Sequence, residues 1–286
     1  MKSANISSHF LTVKQMKIHY YTAGKESGKT PVLFLHGGGI DSARLSWGDV
    51  MGPVSGEFAV YAPDLPGYGK SDKPDITYSM DFYVEFLNEL IAKLGLKKVH
   101  LVGLSLGGGI AIRYSLMAPD KVDRLVLAAP YGIFSKLVSH KLSYFYVKTF
   151  FNELSYRLLR SRKFTRWSLL SGVIYDARKL TDELFEEIYQ AGLEPFAGKA
   201  FMSFQRSELT PTGIRSDLTG QLSQLQAPTL IIQGKEDPAV LPVYARKAHE
   251  KIPRSRLCLF EKCRHWPQRE HPEKFVQAVI QFLTNP

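Results

Sequence analysis

The chain has 286 residues, of which 44% are hydrophobic and 22% charged, a globular composition that excludes a disordered or fibrous protein. That length holds one large domain, or one domain carrying an insertion. The formal charge of +10 would suit nucleic acid, an anionic membrane surface or an acidic substrate, but no nucleic-acid-binding motif accompanies it, so no nucleic-acid partner is expected.

The first fifteen residues hold no apolar run of signal-peptide length. The longest apolar stretches, such as Val99 to Leu106, are too short to span a bilayer, and a cytoplasmic protein is expected. Pro31 to Leu35 (PVLFL) is a continuous apolar run ending in glycines, as a strand buried on both faces would be. Phe58 to Ala62 is a second run, closed by Pro63 and the turn-rich DLPGYGKSD. Phe82, Phe86, Leu90 and Leu94 recur at helical spacing over 80–94, with Gly95 just beyond. Val99 to Leu104 reads as a strand, Gly107 to Met117 as a helix stopped by Pro119, and Arg124 to Ala129 as a further strand.

The alternation then breaks. From about Gly132 to Arg215 the sequence is helical and rich in Tyr, Phe, Arg and Lys. Strands resume at Thr229 to Gln233 and Arg256 to Phe260, and a closing helix begins at Pro272. A parallel sheet with helices on both faces is expected, with 1–131 and 216–286 as the core and 132–215 as an inserted helical cap. Much of the positive charge lies between Lys136 and Arg166, where SYFYVKTFFNELSYRLLRSRKF is cationic and amphipathic, so weak contact with a membrane surface is a further expectation. Cys258 and Cys263 read as free thiols, too far apart along one extended segment to bridge.

Gly103-Leu104-Ser105-Leu106-Gly107 fits G-x-S-x-G where a strand turns into a helix. A serine on so sharp a turn needs neighbours without bulk, and it then meets a base while the following amide faces the developing oxyanion. His36-Gly37-Gly38-Gly39 follows the first buried strand, where the second oxyanion donor is expected; the amides of Gly38 and Leu106 are the candidates. His36 itself is expected to order that loop. A hydroxyl also needs a base and a group to orient the base. Asp237 follows the strand TLIIQ and His265 follows RLCLF, so both fall beside Ser105 at the carboxyl edge of the sheet. Glu236 and His271 are rivals by proximity, His9, His19, His100, His140 and His249 read as surface or structural, and Asp64 reads as a turn organiser.

LHGGG (35–39), APDLPGYGKSD (62–72), GLSLGGG (103–109), IIQGKEDP (231–238) and RHWPQREHPE (264–273) resemble the α/β-hydrolase superfamily over nearly the whole chain. That resemblance implies an eight-stranded, mostly parallel sheet with a helical cap after the sixth strand, and no metal or cofactor. A serine nucleophile argues against the epoxide-opening and dehalogenating relatives, which use aspartate. HGGG, HWPQ and YDARKLTDELFEEIY (175–189) are most similar to the carbon–carbon bond hydrolases of aromatic ring fission. Leu104 stands where those enzymes carry asparagine, and Ile188 where they carry an arginine that contacts the dienoate. Arg178 and Arg206 are the neighbouring cations available as substitutes. Gly39, Trp266 and Ile188 are the candidate substrate contacts.

The expected reaction is therefore hydrolysis of a carboxylic ester of an apolar small molecule through an acyl-enzyme on Ser105. The alternatives are carbon–carbon cleavage of ring-fission products and a non-catalytic receptor on the same scaffold. Phe134, Tyr144, Phe150, Phe164, Trp167, Phe196, Phe201 and Phe204 are the aromatics expected to line the pocket or pack the cap. A monomer and a homodimer are both compatible with the sequence.

Overall fold

A computed structural model describes residues 5–24 and 28–284. Eight strands, β1 (Ser7–Val13), β2 (Met16–Ala23), β3 (Val32–Leu35), β4 (Val60–Pro63), β5 (Val99–Leu104), β6 (Val122–Ala128), β7 (Thr229–Gly234) and β8 (Ser255–Phe260), form one sheet. Their spatial order is β1-β2-β4-β3-β5-β6-β7-β8. β1 and β2 are an antiparallel hairpin and β2 meets β4 antiparallel, whereas all later pairings are parallel.

The continuous apolar runs follow from burial on both faces. Leu33, Leu35, Leu101, Leu125, Leu127 and Ile231 enter one apolar cluster, while Phe34, Val102, Leu104, Val126, Leu230 and Ile232 enter the cluster on the opposite face. Register then sets the site. Leu35 pairs with Gly103, Leu104 with Ala128, Ala128 with Ile232, and Gly234 with Phe260. The residues that follow β3, β5, β7 and β8 therefore emerge side by side at one edge.

The hairpin β1–β2 is absent from the run-by-run reading of the sequence, which finds six strands. Lys14 and Gln15 both take positive φ in its turn, 48° and 63°. Asn and Gly normally mark that geometry, so the usual turn signal is missing.

Helices α1 (Ala43–Val54), α2 (Met80–Lys93) and α3 (Leu106–Met117) lie among the first six strands. Five more follow between β6 and β7: α4 (His140–Lys148), α5 (Phe151–Leu158), α6 (Arg162–Gly172), α7 (Asp182–Leu193) and α8 (Lys199–Glu208). The chain closes with α9 (Pro242–Lys251), α10 (Pro267–Glu270) and α11 (Pro272–Thr284). α2, α3 and α9 cover one face of the sheet, and α1 and α11 the other, where Trp47 packs tilted against Phe34 with ring centroids 4.9 Å apart. Leu169, Leu184, Phe185 and Ile188 of α6 and α7 join that second cluster, tying the helical block to the sheet. Among the described residues no helix is long and apolar enough to cross a membrane.

Candidate active site

Ser105 sits between β5 and α3 at φ 49° and ψ −114°, a conformation that L-residues adopt only at a cost. Its backbone is held by three hydrogen bonds: its N–H donates to Ala128 O (2.9 Å), and its carbonyl accepts from Gly109 N (3.0 Å) and Tyr131 N (2.9 Å). The flanking glycines are required by contact. A Cβ on Gly103 would lie 2.4 Å from Gly107 O, and one on Gly107 only 2.3 Å from Leu35 O and 2.5 Å from His36 O. These obstacles are backbone atoms that cannot rotate away. Gly107→Ala is expected to cost ~2–3 kcal/mol of stability, read as a lower urea midpoint at unchanged m-value. An unchanged midpoint would refute this close packing.

Asp237 follows β7 and is almost fully buried. Its Oδ1 accepts from Ala239 N (2.8 Å) and Val240 N (3.1 Å). Its Oδ2 accepts from Gln233 Nε2 (2.9 Å) and lies 2.8 Å from His265 Nδ1. Burial works against the charge on Asp237, but the charge and hydrogen bond of His265, with the Val240 and Gln233 donors, bring its pKa below the ordinary carboxylate value. Burial likewise favours neutral His265, yet the Asp237 carboxylate outweighs it and the imidazole pKa ends above its ordinary value. The bond fixes the ring with Nδ1 toward Asp237 and leaves Nε2 for the cavity. Among the described residues the Ser105 hydroxyl has no hydrogen bond, so the serine–imidazole contact expected from the sequence is not closed. Such contacts are often long in unliganded enzymes and tighten when substrate binds.

On the other side of Ser105, the Leu106 amide opens α3, where helix N–H groups have no partner within the helix. The Gly37–Gly39 loop lies opposite. His36 orders it: its Nε2 accepts from Leu65 N (2.9 Å), which places the proton on Nδ1, 2.8 Å from Gly37 O. Asp41, buried, accepts from Gly37 N and Ser46 Oγ through Oδ2 and from Ser42 N through Oδ1. A Cβ on Gly38 would meet the Phe201 ring at 2.3 Å, so α8 rests directly on this loop.

Two adjoining cavities meet at Gly38, Gly39, Gln205, His265 and Trp266. The lower one, about 270 Å³, contains Ser105 and is walled by Phe134, Leu137, Phe201, Phe204 and Val240. The upper one, about 350 Å³, lies beneath α5–α7 and is lined by Ile188, Leu169 and Phe164, with hydroxyl and amide groups of Tyr146, Asn152 and Thr165. Gly39, Trp266 and Ile188 all line the upper cavity. Of the aromatics expected at the pocket, Phe134, Phe164, Phe201 and Phe204 line it. Phe150, Trp167 and Phe196 instead face outward at 66%, 63% and 51% exposure, and Tyr144 lies beneath Lys148 on α4. Spacing places these rings on helices but does not say which face turns inward. Arg178 and Arg206 line neither cavity: the first pairs with Asp176, the second with Glu153.

A family model described as the alpha/beta hydrolase fold matches residues 30–272. The chain belongs to that family. It is 27% identical to the 2-hydroxy-6-oxo-6-(2'-aminophenyl)hexa-2,4-dienoic acid hydrolase of Metapseudomonas resinovorans, over 96% of this chain and 90% of that one. Among solved structures, a meta-cleavage product hydrolase from Pseudomonas fluorescens superposes with a TM-score of 0.80 at 28% identity, covering 96% of this chain and 97% of that one. A bacterial membrane phospholipase A superposes with a TM-score of 0.77 at 26% identity, covering 98% and 86%.

In this α/β-hydrolase-fold protein the rival residues have other partners. His19 Nδ1 lies 2.7 Å from Asp64 Oδ2, and Asp64 also accepts from Ala43 N and Lys70 N, so it organises the turn after β4. Burial pushes His100 down to a pKa of about 4. His9, His140, His249 and His271 bond to Thr22, Thr210 O, Ser255 and Lys262 O. Glu236 accepts from Cys263 N (2.9 Å) and so braces the loop that carries His265.

Three supporting residues are absent from the sequence reading. Gln233 holds Asp237 and also donates to Val240 O (3.0 Å); a polar residue closing the apolar run TLIIQ was its one signal. Glu270 is buried and accepts from Arg264 N (2.6 Å) and Tyr175 N (2.6 Å), linking the His265 loop to the segment after α6. Asp41 adjoins the HGGG run without a motif of its own. Among the described residues no three His, Cys, Asp or Glu side chains gather as a metal site would require.

Proposed function

We propose that this protein is a serine hydrolase that cleaves the carboxylic ester of an uncharged, largely apolar small molecule. One observation carries the substrate class: among the described residues, no ionisable acid or base of the Asp, Glu, Lys, Arg or His type lines either cavity apart from Asp41 and His265. A substrate carboxylate would be buried without a cation and beside Asp41, and an unpaired buried charge is costly.

In this reading Ser105 attacks the ester carbonyl as His265 Nε2 takes its proton. Asp237 holds the imidazole through Nδ1 and stabilises the imidazolium. The amides of Leu106 and Gly38 receive the oxyanion, a role in which each donor is typically worth ~10²–10³ in turnover. His265 then protonates the departing alcohol, and water hydrolyses the acyl-enzyme. Residues 132–215 act as the cap that shapes the substrate space over a core of 1–131 and 216–286. Gly39, Trp266 and Ile188 are its candidate substrate contacts in the upper cavity.

Intact-mass measurement after exposure to p-nitrophenyl esters tests this reading, with and without a terminal carboxylate on the acyl chain. An acyl adduct on Ser105 is expected, with neutral chains preferred by at least about a hundredfold in kcat/KM. A preference for the charged chain would overturn the assignment of substrate class.

A second reading, carbon–carbon cleavage of a ring-fission product, is favoured by the dienoic acid and meta-cleavage product hydrolases among the relatives. Those substrates are carboxylates, and Ile188 offers no charge to hold one. Turnover of a 2-hydroxy-6-oxo-dienoate faster than of every neutral ester would make this the correct reading.

A further inference from the structure

We propose that the outward face of α4 and α5 docks onto the surface of an anionic lipid bilayer, which sets the cavity beneath these helices at the membrane interface. The two helices are amphipathic in the reverse of the usual sense. Ordinary surface helices turn apolar residues to the core and polar ones to water. Here Tyr146 of α4 and Asn152, Ser155 and Tyr156 of α5 line the cavity. Leu142, Phe145, Phe150, Phe151, Leu154 and Leu158 face outward, each at least 40% exposed. The outward rings are contiguous, with centroids 4.4 Å apart for Phe150–Phe151 and 6.3 Å for Phe145–Phe151.

Of the fifteen large apolar side chains exposed among the described residues, nine lie between Val138 and Tyr175, and six of these form this outward patch. Patches of that kind mark interaction surfaces.

Charge identifies the occupant. From Lys136 to Arg166 there are eight Lys and Arg side chains and a single acid, Glu153. Glu153 is paired with Arg206. Exposed Lys141, Arg157, Arg160 and Lys163 have no ion pair among the described residues. An apolar strip flanked by unpaired cations matches acyl chains beneath anionic headgroups. Helices of 9 and 8 residues cannot cross a bilayer and would lie in its interface. This inference does not depend on which bond the site cleaves.

Co-sedimentation of the full chain with vesicles tests it, using phosphatidylcholine alone and phosphatidylcholine mixed with phosphatidylglycerol. Wild type is expected to bind the mixed vesicles at low salt, less at high salt, and the neutral ones weakly. Leu142→Ser/Phe145→Ser/Leu154→Ser and, separately, Lys141→Glu/Arg157→Glu/Lys163→Glu are each expected to lower binding at least about tenfold. Thermal unfolding and circular dichroism confirm that each variant is folded, and a second apolar set, Phe150→Ser/Leu158→Ser, replaces any variant that is not. No binding of wild type to the mixed vesicles, or undiminished binding by the folded variants, overturns the proposal. So does sedimentation velocity showing a dimer that the apolar variant dissociates, since a second copy would then cover the face.

Discussion

Replacing Ser105 with alanine is expected to lower kcat/KM for an activated ester by on the order of 10⁴- to 10⁶-fold, the usual consequence of removing a serine nucleophile. The residual rate would come from the oxyanion donors and from binding. KM should change little, because the hydroxyl forms its bond only along the reaction coordinate. Stability should also change little: alanine meets the same backbone strain at φ 49°, and the three backbone hydrogen bonds of Ser105 do not involve its side chain. Steady-state kinetics beside a thermal melt make the measurement. An alanine variant within tenfold of wild type would remove the serine mechanism for both the ester and the carbon–carbon readings.

Asp237→Asn is expected to lower activity at neutral pH by about 10⁴-fold, the scale set by the same change in a serine protease. The asparagine amide cannot supply the negative charge that stabilises the imidazolium, and it competes as a donor with His265 Nδ1–H. The pH profile gives a second reading. Catalysis needs neutral His265, and the Asp237 carboxylate holds that imidazole above its ordinary pKa of about 6.5. Activity of the wild type should therefore rise with pH through an inflection above that value. In Asp237→Asn the inflection should move to lower pH, because burial is then opposed only by the weaker influence of Asp41. An inflection that stays in place would show that Asp237 does not govern the imidazole.

Linkage carries the same sign into stability. A raised folded-state pKa at His265 contributes stability that is fully present below the unfolded value and is lost as pH rises through the folded one. The lowered pKa of Asp237 contributes in the opposite direction, and its part is lost as pH falls through the folded value. The pair is therefore held together most strongly between the two, where carboxylate and imidazolium coexist.

The six runs read as strands are all strands: β3, β5 and β7, inside the sheet, are buried throughout and hence largely apolar, whereas β8 at the edge is only partly buried and shows itself through Leu257, Leu259 and Phe260. The hairpin β1–β2 left no such mark, because Lys14 and Gln15 stand at turn positions where Asn and Gly are usual. α1 was hidden for a related reason: Gly48, Gly52 and Pro53 lower its helical propensity, and the helix stands on the burial of Trp47, Val50 and Met51.

The mostly parallel core and the glycines that let Ser105 project were legible in the sequence, as were Ser105, Asp237 and His265 as candidates at one edge of the sheet. Each is a local demand, of burial, of functional group or of backbone space, and so each leaves a local trace. Which aromatics of 132–215 face the cavities, that Glu236 and Glu270 brace the His265 loop from separate segments, and that among the described residues no Lys or Arg lines either cavity were settled by tertiary structure alone. Those outcomes depend on which helix face meets which strand end and on which separate loops meet, and no short stretch of sequence carries that information.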